Sequence, residues 1–185
     1  MKVAGRLGSE VRAAFLGDDL SPEANVMPLF LMQGEHLRND VTNMVKSSHS
    51  NIIPGPADCS AEIGQMALSL ATATRKKQRT VMFALYRLLH AEALMSTLYD
   101  VSKAFPLPAI AGLRGVCDVR SVLDLWCRNG VEEALIQPVL LFPGKSLARL
   151  EQLADKASMD IIIAPPLTEH PDFSAWLAER FRQSL

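Results

Sequence analysis

The sequence predicts an α/β protein of two related lobes, each a parallel sheet flanked by helices, with the first lobe shortened. Two observations carry this expectation. Apolar runs of strand length alternate with segments of helical spacing, and the runs are continuous, as in sheets covered on both faces. A pattern near the N-terminus then recurs in the C-terminal part, the mark of duplicated halves. The halves divide at residues 1–78 and 79–185. A chain of 185 residues, about half of them hydrophobic, has room for two such small lobes and a real core.

In the first half, Val11–Leu16 reads as a strand and Asn25–Met32 as another. Leu37–Lys46 reads as a helix. Asn51–Pro54 is a short strand leading into a Pro-Gly-Pro turn. Ala61–Ala73 is a helix with Ile63, Met66, Ala67 and Leu70 inward.

The second half is plainer. Thr80–Tyr86, TVMFALY, is a β-branched and aromatic strand. His90–Ala104 has helical spacing, with Ala91, Leu94, Leu98, Val101 and Ala104 on one face, and stops before Pro106 and Pro108. Pro108–Leu113 is a strand. Asp118 is placed to cap a helix through Arg128, with Val122, Leu123, Leu125 and Trp126 inward and Asn129-Gly130 ending it. Leu135–Phe142 is a third strand, and Ser146 is placed to cap a helix to Lys156. Asp160–Ala164 is a fourth strand. Pro171–Leu185 is a closing helix that buries Phe173, Trp176, Leu177 and Phe181. Right-handed crossovers would make this a doubly wound sheet.

The halves match in their last two units. Met27-Pro-Leu-Phe-Leu pairs with Gln137-Pro-Val-Leu-Leu-Phe, and Asn51-Ile-Ile-Pro-Gly-Pro with Asp160-Ile-Ile-Ile-Ala-Pro-Pro. The first half has no counterpart of Thr80–Ala104, so its opening strand and helix are missing.

Composition excludes several classes. A net charge of −1 argues against disorder and against a nucleic-acid surface. The one basic cluster, Arg75–Arg79, reads as a solvated connection, with an anion site as the minority reading. No apolar run reaches the roughly 18 residues needed to cross a bilayer. The N-terminus lacks an apolar signal core, so a cytoplasmic location with no membrane partner is expected. Cys59, Cys117 and Cys127 have no zinc-ligand spacing and read as reduced thiols.

Chemistry concentrates in Val26–Val41, VMPLFLMQGEHLRNDV. His36 follows an apolar run and a glycine, at the strand edge where α/β folds bind ligands. An imidazole there can hold a metal or accept a proton; the plainer alternative is a surface histidine near a helix start. Glu35 adjoins it and Asp40 lies one turn on. Glu35 can assist a cation or a proton transfer; the plainer reading of both carboxylates is as helix-start residues that complement the dipole. Gly34 suits a tight turn or the close approach of a planar ligand. His90 reads either as a first-turn residue or as a second imidazole facing His36. His49 reads as solvated and His170 as part of a helix entry. No Walker loop, GxSxG elbow, HExxH or GxGxxG occurs.

With these residues in hand, Val26–Val41 resembles the strand–Gly-x-His-x-x-x-Asp segment of the sirohydrochlorin chelatases, the class II tetrapyrrole chelatases. Ile162-Ile-Ala-Pro-Pro-Leu-Thr-Glu-His-Pro-Asp resembles their last strand and helix entry, and Ile52-Ile-Pro-Gly-Pro-Ala-Asp is a weaker copy. With gaps, the likeness covers most of the chain. It implies two four-stranded units around a tetrapyrrole and a lyase that inserts Co²⁺ or Fe²⁺ into sirohydrochlorin or a related ring. The divalent metal is then a substrate, with no organic cofactor. His36 would be metal ligand and proton acceptor, with Glu35 and His90 beside the metal. Gly34, Arg38 and Tyr86 would meet the macrocycle.

The family's other histidine, which follows its first strand in a His-Gly-Ser sequence, has no counterpart here. Tyr86 or Arg87 falls at its place in the second half, with His90 a few residues later. Lys145 stands near where a second Gly-x-His would be. A non-catalytic paralogue that binds a tetrapyrrole or metal is therefore the alternative. A homodimer is plausible, because a sheet lacking its first strand exposes pairing groups that another chain could cover.

Overall fold

The computed structural model describes residues 11–75 and 80–184. The N-terminal residues before Val11 and the basic run after Arg75 lie outside the described residues. The architecture is α/β, with parallel sheets flanked by helices. The chain divides into two compact units. One is Ser60–His170; the other comprises the segment ending at Cys59 together with the segment from Pro171 onward.

The Ser60–His170 unit holds a four-stranded sheet: β3 (Thr80–Arg87), β4 (Leu107–Arg114), β5 (Glu133–Pro138) and β6 (Asp160–Ile163). Their order is β4-β3-β5-β6 and every pairing is parallel, with Thr80 opposite both Leu107 and Ala134. Four helices accompany them: α2 (Ser60–Thr74), α3 (Glu92–Ser102), α4 (Val119–Arg128) and α5 (Lys145–Ala154).

Strand β3 is buried from Thr80 to Leu85 because helices cover both of its faces. Met82 and Ala84 lie in a core with Leu123 of α4, Ile136 of β5 and Leu150 of α5. Phe83 meets Phe105, with ring centroids 6.1 Å apart. Burying each such side chain contributes about 1.5–3 kcal/mol before chain entropy is counted. Helices α2 and α3 pack together where Gly64 faces Thr97; a Cβ on Gly64 would collide with Thr97 Cγ2.

In the other unit, β1 (Asn25–Val26) pairs in parallel with β2 (Asn51–Ile52). A π-helical stretch, His36–Val41, continues into α1 (Thr42–Ser47). Leu37, Val41 and Val45 point inward from that helix, against Leu20, Val26, Phe30 and Ala57. The closing helix α6 (Phe173–Gln183) buries Phe173, Leu177 and Ala178, and Phe173 packs on Trp176 with ring centroids 5.7 Å apart.

Several expectations need correction. Val11–Leu16 is not a strand. Asp18 captures it instead: its carboxylate accepts from Phe15 N–H at 2.8 Å and its own N–H donates to Phe15 O at 3.1 Å, a local turn that outcompetes pairing. The strand expected over Asn25–Met32 stops after Val26, because Pro28 has no N–H to give. Pro138 ends β5 likewise, four residues short of Phe142. Helix α3 starts at Glu92 because His90 adopts a left-handed φ of 64°, and it ends before Ala104, which is exposed. Gly144, and not Ser146, precedes α5. Leu125 points outward from α4.

Candidate functional site

His36 stands on the first turn of a helix whose inward residues are Leu37, Val41 and Val45. Anchoring those three on the core turns positions 36 and 40 outward together. The His36 Nδ1 lies 2.6 Å from Asp40 Oδ2, and the side chains are 70% and 49% exposed. A carboxylate at Nδ1 favours the tautomer that donates there, leaving the Nε2 lone pair directed away from Asp40. The ring can then coordinate an ion or exchange a proton through Nε2. The π-helical winding adds a second mark, since such turns occur often at functional sites.

The segment entering this helix is braced from below. Gln33 Nε2 donates to Asp58 Oδ1 at 2.8 Å, and Asp58 Oδ2 accepts from Gly55 N–H at 3.0 Å. Asp58 therefore joins the loop after β1 to the loop after β2, at the carboxyl edge of both strands. The sequence reading passed over this carboxylate. Its only trace was position, four residues beyond a Pro in the weaker copy of the strand–turn pattern.

The neighbouring site residues fall out as follows. Glu35 is exposed and makes no side-chain capping bond, so the acid that engages His36 is Asp40. Gly34 has no left-handed φ, and nothing lies within 4 Å of where its Cβ would be. The tight-turn reason for a glycine does not hold there; open space does. Arg38 is exposed on the helix, and Gly34 O accepts from its N–H at 3.1 Å.

Tyr86 and His90 belong to the other unit. Tyr86 lies near the carboxyl end of β3, beside the point where the chain leaves for β4 on one side and returns to β5 on the other. Ligands of doubly wound folds bind at such a switch point. His90, half-buried, lies in the loop that follows. Among the described residues no three His, Cys, Asp or Glu side chains gather as ligands of one ion.

One buried polar group at this edge also escaped the sequence reading. Gln137 is fully buried, and its Nε2 donates to Pro138 O at 2.9 Å and Pro165 O at 3.1 Å, tying the end of β5 to the end of β6. His49 is exposed in its loop, as expected, and His170 is half-buried after a short 3₁₀ turn.

The α/β fold is shared with two solved proteins, CbiX and SirB. Residues 117–184 match the CbiX family model. The structure of CbiX, described as the terminal enzyme for biosynthesis of siroheme in denitrifying bacteria, superposes with a TM-score of 0.68 at 16% identity, covering 90% of this chain and 77% of that one. SirB from Bacillus subtilis, solved with Fe³⁺, superposes with a TM-score of 0.62 at 13% identity, covering 89% of this chain and 72% of that one. No curated protein matches the sequence. At these identities the superpositions show a common fold, and the family-model match lies in the C-terminal part of the chain, outside the His36 segment.

Proposed function

We propose that the protein inserts a divalent metal, Co²⁺ or Fe²⁺, into sirohydrochlorin or a related tetrapyrrole. The observation that carries this reading is the 2.6 Å contact between His36 Nδ1 and Asp40. Insertion replaces two pyrrole protons by one dication, so the site must receive an ion and accept protons. His36 Nε2 can hold the incoming ion and, once the ion has passed to the ring nitrogens, take one pyrrole proton, the other leaving to water; Asp40 fixes the orientation of that imidazole. Arg38 supplies a cation for the ring's carboxylates. Tyr86 supplies a flat face for the ring, and the open space at Gly34 leaves room for a planar edge. Glu35 and His90 are the remaining candidates for the metal's coordination shell.

Residues 1–78 and 79–185 are duplicated halves, the first shortened, and a homodimer covers the pairing groups that shortening exposes. The protein works in the cytoplasm; no helix among the described residues is long and apolar enough to cross a membrane.

A second reading is favoured by a specific observation. His36 is 70% exposed, and no three-ligand group exists among the described residues. A paralogue that holds a tetrapyrrole or a metal without turnover would need no more. Sirohydrochlorin mixed with the protein and Co²⁺ separates the two. A metal-dependent change in the visible spectrum, faster than without protein, marks insertion. A spectral shift with sirohydrochlorin alone and no acceleration marks the binder.

A further inference from the structure

At the carboxyl edge of the four-stranded sheet, Arg87 of β3 and Arg114 of β4 are direct register partners. Gly112, the register partner of Leu85, leaves room beside both residues: a Cβ there would come within 2.8 Å of Arg114 O and 3.6 Å of Arg87 Cα. Both guanidinium groups lie over Tyr86, with Cζ atoms 5.5 Å and 5.9 Å from the ring centroid. Neither forms an ion pair among the described residues. Two like charges on facing strand positions repel each other, and the Tyr86 ring offsets only part of that. An anion placed between them turns the repulsion into attraction.

The surroundings narrow the kind of anion. Leu89, Val116 and Phe142 are exposed in the loops that follow β3, β4 and β5. A small inorganic ion would leave those side chains in water. A flat apolar body fringed with carboxylates would cover them and place its acids on the two forks, the geometry guanidinium recognises best.

We propose that Tyr86, Arg87 and Arg114 form a carboxylate-binding site for the rim of a planar polycarboxylate ring. This rests on the proposed function and assigns to it a substrate-orienting clamp. Arg87 and Arg114 are positioning residues and take no part in the metal's chemistry.

Titration of the full-length protein with metal-free uroporphyrin, which carries carboxylates on every pyrrole, tests the clamp. A porphyrin with cationic pyridinium arms is the charge control. Wild-type protein should bind uroporphyrin, more weakly as salt rises, and not the cationic ring. The variant R87Q/R114Q, with an unchanged melting temperature, should lose about tenfold or more in affinity. R87K/R114K keeps the charge but not the fork and should fall between the two. Uroporphyrin binding by R87Q/R114Q equal to wild type would overturn the clamp and leave the chelatase reading standing. Wild-type protein that binds neither ring overturns both.

Discussion

At the scale of single residues, the proposed site centres on the His36 imidazole and the carboxylates that hold it and its segment. Asp40 acts on the ring directly and Asp58 acts on the segment that carries it. Replacing an outer carboxylate that orients a histidine costs about 10–100-fold in metal affinity or activity. Asp40→Asn should therefore slow metal insertion by about that factor while leaving the fold intact, as judged by an unchanged circular dichroism spectrum. Asp58→Ala should leave His36 and Asp40 in place but release Gln33 and Gly55. Hydrogen exchange is the discriminating measurement: amides of Gln33–His36 should lose protection in that variant, and unaltered protection would show that Asp58 does not brace the segment. His36 and Asp40 were legible as a pair in the sequence because helical spacing places i and i+4 on one face. The Asp58 brace was not, since it joins loops that only the pairing of β1 with β2 brings together.

At the scale of elements, legibility followed the range of the forces. Helix α4 was readable from end to end, Asp118 through Arg128, because its start and stop are local chemistry. Asp118 accepts a hydrogen bond from Ser121 N–H at 2.8 Å, and that bond, with a contribution from the Ser121 side chain, holds its carboxyl below the usual 3.8. A lowered folded value means the cap stabilises above the unfolded pKa and is lost as pH falls through the lower folded one. Asp118→Ala should cost about 1 kcal/mol in neutral urea melts, with the gap to wild type closing in strong acid. A constant gap at every pH would contradict the capping role.

The short strands were the opposite case. Pairing depends on a neighbour the sequence cannot show, and Pro28 and the Asp18 turn decided matters against the apolar pattern. Packing of α2 on α3 is likewise invisible in the sequence, although Gly64 marks it. Gly64→Ala should destabilise by about 1–3 kcal/mol through the clash with Thr97, and Thr97→Ala on top of it should recover most of the loss. Additive losses in the double variant would place the strain elsewhere.

At the scale of the whole molecule, fold and chemistry are recorded in different parts of the chain. The CbiX family model matches residues 117–184, which run from α4 through α6. The residues that point to metal chemistry, Gly34 through Asp40, lie outside that match, beside a two-stranded sheet. A sheet of two strands is marginal by itself. Its unit depends on Leu37, Val41 and Val45, the same helix face that turns His36 outward. Stability and site geometry there are coupled, whereas the four-stranded sheet is built on its own covered core. The sequence holds no His-Gly-Ser histidine, so the proposed insertion is assigned first to His36. The rate of Co²⁺ incorporation into sirohydrochlorin, followed by visible absorbance for wild type and His36→Ala at equal protein concentration, tests this most directly. Acceleration by wild type, reduced to the protein-free background in His36→Ala, is the predicted result; equal acceleration by both proteins would contradict the assignment of metal insertion to this imidazole.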